Sequence, residues 1–237
     1  MTDQPTPFLS GVIGLVNLND PDWEETLQSV QSLLDCVALP GIPEQSWQPA
    51  TRALLVQLCT QIKIIPILFG AAGIWPVDNE VITDGLIYSD QTVEMTKTGQ
   101  AAGAACALTP TPVGLRPHPG QTTSAMVYRY FRDVQAKAAL PLVIHQPKGL
   151  AAESRLAPES ILSLVRMGKI AGLIMEDGTE EEFEANVRSG RRANFTVIGG
   201  GSTFPMALEW GAAGVAVDIR SPRLKEIAEQ VHSRKPV

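Results

Sequence analysis

Short runs of consecutive apolar residues recur along the chain, each ended by glycine, proline or a polar group. Eight of them read as strands: GVIGLV (11–16), CVALP (36–40), IIPILF (64–69), ACALTP (105–110), LPLVIH (140–145), AGLIME (171–176), FTVIGG (195–200) and GVAVD (214–218). They are apolar at nearly every position rather than at every second one, as parallel strands covered on both faces are. Longer segments with a helical period lie between them. DPDWEETLQSVQSLLD (20–35) places Trp23, Leu27, Val30 and Leu34 on one side, with Asp20 as cap and Pro21 in the first turn. Further helices are predicted over 49–61, 90–103, 123–139, 157–168, 180–190 and 221–235, the one at 180 ending at Gly190.

This alternation predicts an α/β fold, a (β/α)8 TIM barrel. Such barrels need about 250 residues, so at 237 residues this one is compact. An open doubly wound sheet is the rival, but it carries a glycine-rich first turn, and here the first strand runs into VNLNDPD. Residues 1–237 are expected to form one domain, with 1–8 a flexible tail and 73–104 an atypically long connection. Within that connection VITDGLIY (81–88) reads as an inserted hairpin or a subunit contact, with Trp75, Ile87 and Tyr88 as interface candidates or, equally, as residues buried within one chain.

Composition narrows the partners. Apolar residues make up 44% and charged residues 19%, a globular balance. The net charge of -6, with no long basic stretch, argues against nucleic acid or an anionic membrane as partner. Arg188, Arg191 and Arg192 read as a solvated surface. No apolar run approaches the roughly 20 residues of a spanning helix, and MTDQPTPF lacks the features of a signal peptide. Cys36, Cys59 and Cys106 show no CxxC spacing and read as buried thiols of a reducing compartment, so a cytoplasmic protein is expected.

In a barrel the chemistry sits where strands end. The second strand leads to Glu44, the fourth to Thr109 and Thr111, and the fifth to His145 and Lys148. The sixth leads to Glu176 and Asp177, the seventh to Gly199, Gly200, Gly201 and Ser202. His145 suits proton transfer near neutral pH. Glu176 or Asp177 suits its partner, and Lys148 suits an imine-forming amine if the mouth strips it of water. GGGS (199–202) suits a turn whose free N–H groups hold an anion. Glu44, Thr109 and Thr111 are further ligand contacts. Neither HxH nor HExxH spacing is present, so no metal and no cofactor is assigned. A divalent ion on His145 with Glu176 or Asp177 stays as an alternative.

The strand-end motifs resemble the dihydrodipicolinate synthase and N-acetylneuraminate lyase family of barrel aldolases. AAGAACALTPTP (101–112) resembles its approach to strand 4, which leads to Thr-Pro-Tyr. ALPLVIHQPKG (139–149) resembles its Leu-Pro-Val-Ile-Leu-Tyr-Asn-Val-Pro-Gly. LAPESILSLVRMGKIAGLI (156–174) resembles the following helix and strand, and VIGGGSTFPMALEWGAAGVAVDI (197–219) the Gly-Asp-Asp, helix and Gly-Ala-x-Gly strand. Glu44 stands at the last position of the family's Gly-Thr-Thr-Gly-Glu. The resemblance covers residues 8–220.

What it implies is a barrel acting on a 2-oxo acid such as pyruvate, commonly as a homo-oligomer. What it does not carry over is the imine-forming lysine of the family's Gly-Ile-Lys, which matches Ile174. His145 matches the proton-relaying tyrosine, Thr111 the strand-4 tyrosine, and Gly41 and Ile42 the carboxylate-holding threonines. The chain ends soon after the last predicted helix, without the family's C-terminal helical extension. The expectation is a divergent aldolase-like lyase working on a small oxo acid without the standard Schiff base. The alternatives are an inactive barrel binding a metabolite or protein, and a metal-assisted carbon–carbon lyase.

Overall fold

Eight parallel strands close into a cylinder in chain order, in a computed structural model that describes residues 9–17, 20–39, 49–62, 67–70, 86–112, 120 and 122–234. The strands are β1 (Gly11–Leu15), β2 (Cys36–Leu39), β3 (Ile67–Gly70), β4 (Cys106–Pro110), β5 (Leu142–Gln146), β6 (Ile170–Met175), β7 (Thr196–Gly200) and β8 (Gly214–Asp218). The last returns to the first along its whole length, from Gly11↔Gly214 to Leu15↔Asp218. Around them run α1 (Trp23–Val30), α2 (Pro49–Gln61), α3 (Leu86–Ala101), α4 (Thr123–Lys137), α5 (Pro158–Arg166), α6 (Glu180–Ala193), α7 (Phe204–Trp210) and α8 (Leu224–His232). The expected barrel is therefore present.

Continuous apolar strands fill two cores, because successive side chains point to opposite faces. Ile13, Ala38, Leu68, Leu108, Val143, Ile174 and Ile198 fill the cylinder. Phe69, Phe131, Leu142, Leu173, Met175 and Phe183 pack outside it under the helices. All of these side chains are buried. No helix among the described residues is long and apolar enough to cross a membrane.

Several boundaries differ from those expected. The first helix runs only Trp23–Val30 before a 3-10 turn over Gln31–Leu33. Its cap position is Asp22, without a side-chain capping bond, while Asp20 pairs with Arg220 at 3.3 Å. Residues 86–88 open α3 rather than forming part of a hairpin. Gly190 does not end α6, which continues to Ala193 and closes at Asn194 in the left-handed conformation. A Cβ on Gly190 would lie 2.7 Å from the Phe195 carbonyl oxygen, so this glycine serves close packing of helix on strand. The expected tail 1–8, Glu44, and residues 73–85 with Trp75 lie outside the described residues.

Candidate active site

β5 and β6 lie side by side with His145 opposite Ile174. Alternation turns both side chains into the cylinder, and the next inward position on the β6 side, just past its end, is Glu176. There His145 Nε2 meets Glu176 Oε1 at 2.7 Å. The side chains are 9% and 17% exposed, so the pair sits at the mouth, shielded but not closed off. With Nε2 engaged by a carboxylate, Nδ1 is the nitrogen left for proton exchange, and it makes no hydrogen bond among the described residues.

Burial pushes the Glu176 carboxyl up, yet the net result lies below its ordinary value. The His145 hydrogen bond and charge, the Lys148 main-chain N–H and the Lys148 ammonium together outweigh desolvation. Glu176 is thus held as a carboxylate, the form that accepts a hydrogen bond from an imidazole and orients it.

Asp177, adjacent in sequence, faces elsewhere. Its Oδ2 accepts from Gly149 N–H at 3.3 Å, and its Oδ1 accepts from Gly178 N–H at 2.9 Å and from the Ser202 hydroxyl at 3.2 Å. The Gly149 N–H is the largest of the influences that hold the Asp177 carboxyl below its usual range. Asp177 therefore joins the loops after β5, β6 and β7.

The GGGS turn is also explained by packing. A Cβ on Gly199 would lie 2.5 Å from Ala207 Cβ, and Gly201, at φ +50°, backs onto the Glu176 carbonyl. Gly200 N–H donates to Thr203 Oγ1 at 3.1 Å, and Ser202 N–H donates to the Glu176 carbonyl at 2.9 Å. These two donors are engaged within the protein. Thr203, which the sequence pattern does not single out, donates its hydroxyl to the Met175 carbonyl at 2.5 Å and fastens β7 to β6.

Lys148 stands exposed on the turn after β5. Thr109 follows Ala107 on the helix-facing side of β4, and its buried hydroxyl makes no hydrogen bond among the described residues. Thr111 lies past the strand, and its N–H donates to the His145 carbonyl at 2.7 Å. Its hydroxyl is buried and makes no hydrogen bond among the described residues. Ile174 is fully buried in the cylinder. Among the described residues no three His, Cys, Asp or Glu side chains gather as ligands to a metal.

Residues 81–232 match the model of the Dihydrodipicolinate synthetase family. Comparison with curated protein sequences gives no match. Dihydrodipicolinate synthase from Thermotoga maritima superposes with a TM-score of 0.73 at 17% identity, over 95% of this chain and 75% of that one. The 2-keto 3-deoxygluconate aldolase from Picrophilus torridus superposes with a TM-score of 0.73 at 14% identity, over 96% and 81%. YagE, a prophage protein of the dihydrodipicolinic acid synthase family from E. coli K12, solved in complex with pyruvate, gives 0.70 at 17% identity, over 94% and 74%. Likeness at these identities establishes a shared fold.

Proposed function

The chain belongs to the Dihydrodipicolinate synthetase family, and from that premise we propose that it is a carbon–carbon lyase of small oxo acids that works without an imine. His145 transfers the proton and Glu176 orients it. The observation that carries this reading is the 2.7 Å contact between a buried imidazole and a carboxylate at the strand ends, directly above Ile174. An isoleucine has no nitrogen to condense with a ketone, so the covalent electron sink is absent from that position.

In the cleavage direction His145 Nδ1 takes the proton from the hydroxyl of a 4-hydroxy-2-oxo acid. The carbon–carbon bond breaks, its electrons pass to the 2-oxo group as an enolate, and an aldehyde leaves. The imidazolium then returns the proton to the enolate carbon, giving a 2-oxo acid such as pyruvate. Glu176 stabilises the imidazolium while it exists. Lys148, exposed at the same turn, is the cation placed to attract the substrate carboxylate. Pyruvate enters this proposal through the family, one of whose solved members holds it. The same reading treats residues 1–237 as one barrel domain in a reducing cytoplasm, where Cys36, Cys59 and Cys106 stay free, and as a homo-oligomer.

His145→Gln should lower the rate of 2-oxo acid release by roughly 10²- to 10⁴-fold, while circular dichroism and melting temperature stay near those of the parent. Borohydride added with pyruvate should leave the protein's intact mass unchanged. Activity that survives the His145 change, or a stable reduced adduct, would overturn the proposal.

A further inference from the structure

The face of the barrel opposite the mouth carries a cavity of about 610 Å³ at the N-terminal ends of β1, β6, β7 and β8, walled outside by the C-terminal ends of α6, α7 and α8. Its size falls within the range of small-molecule sites, roughly 300–1,000 Å³. The walls combine an apolar lining with two arginines, Arg191 and Arg234, and one acid, Asp35, that is paired with His232. Val187, Phe195, Val197 and Val231 supply the apolar part.

Arg191 donates to the Trp210 carbonyl at 2.8 Å and to the Gly211 carbonyl at 3.2 Å, and Arg234 donates to the Leu208 carbonyl. Arg191 is thus seated against the end of α7 rather than simply solvated. Carbonyl oxygens anchor a guanidinium without cancelling its charge, and neither arginine makes an ion pair among the described residues. The acid in the lining, Asp35, is already engaged by Val12 N–H at 2.8 Å and by His232 Nε2 at 2.9 Å. Ser10, Asn194 and Thr196 add side-chain polar groups that make no hydrogen bond among the described residues. An apolar wall, two uncompensated guanidiniums and three unengaged polar groups form the lining expected for an amphipathic anion.

We propose that this cavity is a second ligand site, separate from the mouth, for a small organic carboxylate with an apolar body. The guanidiniums of Arg191 and Arg234 take the carboxylate, and the valine-rich wall takes the hydrocarbon. This site does not depend on whether the mouth is active.

Octanoate titrated calorimetrically into the full chain at low salt tests it. One saturable site is expected, weakened by added salt and bound at least about tenfold more weakly by octylamine and octanol, which lack the carboxylate. Arg191→Gln and, by filling the exposed side of the cavity, Ala213→Phe should each weaken octanoate at least about tenfold. Because Arg191 also caps α7, Arg191→Lys serves as the folding control and should keep most of the binding. His145→Gln should leave it unchanged. No heat from octanoate, or binding indifferent to both Arg191→Gln and Ala213→Phe, overturns the proposal. Binding lost in His145→Gln does so too, because it puts the ligand at the mouth.

Discussion

Glu176 does two things at once. Its carboxylate orients His145, and its carbonyl receives the Ser202 N–H that holds the seventh strand's turn in place. Because its carboxyl lies below the ordinary range in the folded protein, protonating it costs stability. A depressed carboxyl contributes stability that is fully present above its unfolded value, near 4.5, and is lost as pH falls through the folded value. Melting temperature measured from about pH 6 down to about pH 3 should therefore drop more gently in Glu176→Gln than in the parent. Parallel acid limbs would show that Glu176 is not linked to folding. Much of this residue-scale picture is legible in the sequence, because a histidine and a glutamate closing two adjacent apolar runs must arrive at the same end of a parallel pair. The division of labour between Glu176 and Asp177 is not legible. Two neighbouring carboxylates look alike until the loops show that only the first follows the inward alternation of its strand.

At the scale of elements, the loops after β5, β6 and β7 form one hydrogen-bonded unit around Asp177. Asp177 touches neither His145 nor the carboxylate of Glu176, so it acts by position: it holds the Gly149 end of the turn whose Lys148 N–H reaches Glu176. Asp177→Ala should lower turnover by about tenfold, with a smaller effect on KM, and shift the pH–rate profile. Amide exchange at Gly149 and Gly178 should accelerate in the same variant. A variant with faster exchange but an unchanged rate and profile would make the clasp purely structural. Most strands were legible because nearly unbroken apolar runs between helical segments have few other readings. Helix ends were less so: Gly190 resembles a terminator in one dimension, but its missing side chain is needed where α6 presses on Phe195 and Val197. The opening of α3 was obscured because Leu86-Ile87-Tyr88, read with the preceding residues, also fits an extended segment.

For the whole molecule, closure of β8 on β1 produces two faces with different chemistry. The mouth gathers a histidine–carboxylate pair, and the floor gathers guanidiniums around an apolar hollow. The first was foreseeable, since strand ends can be counted along the chain. The second was not, because Arg191 and Arg234 come from different helices and meet only once the cylinder is closed. Closure also encloses two sulfur atoms. Cys36 and Cys106 lie inside the cylinder, and burial is the chief cause pushing both thiols up to about 12, whereas Cys59, under the helices, rises to about 11. Alkylating reagents attack the thiolate, so neither interior sulfur should react while the staves stay joined. Iodoacetamide labelling followed by peptide mass analysis should modify Cys59 first, with Cys36 and Cys106 following together at the rate of global unfolding measured in the same buffer. Early, separate modification of Cys36 would mean that the β1–β2–β3 side gapes on its own. The two sulfurs thus offer a built-in stopwatch for the breathing of the cylinder, readable without any added label on its surface.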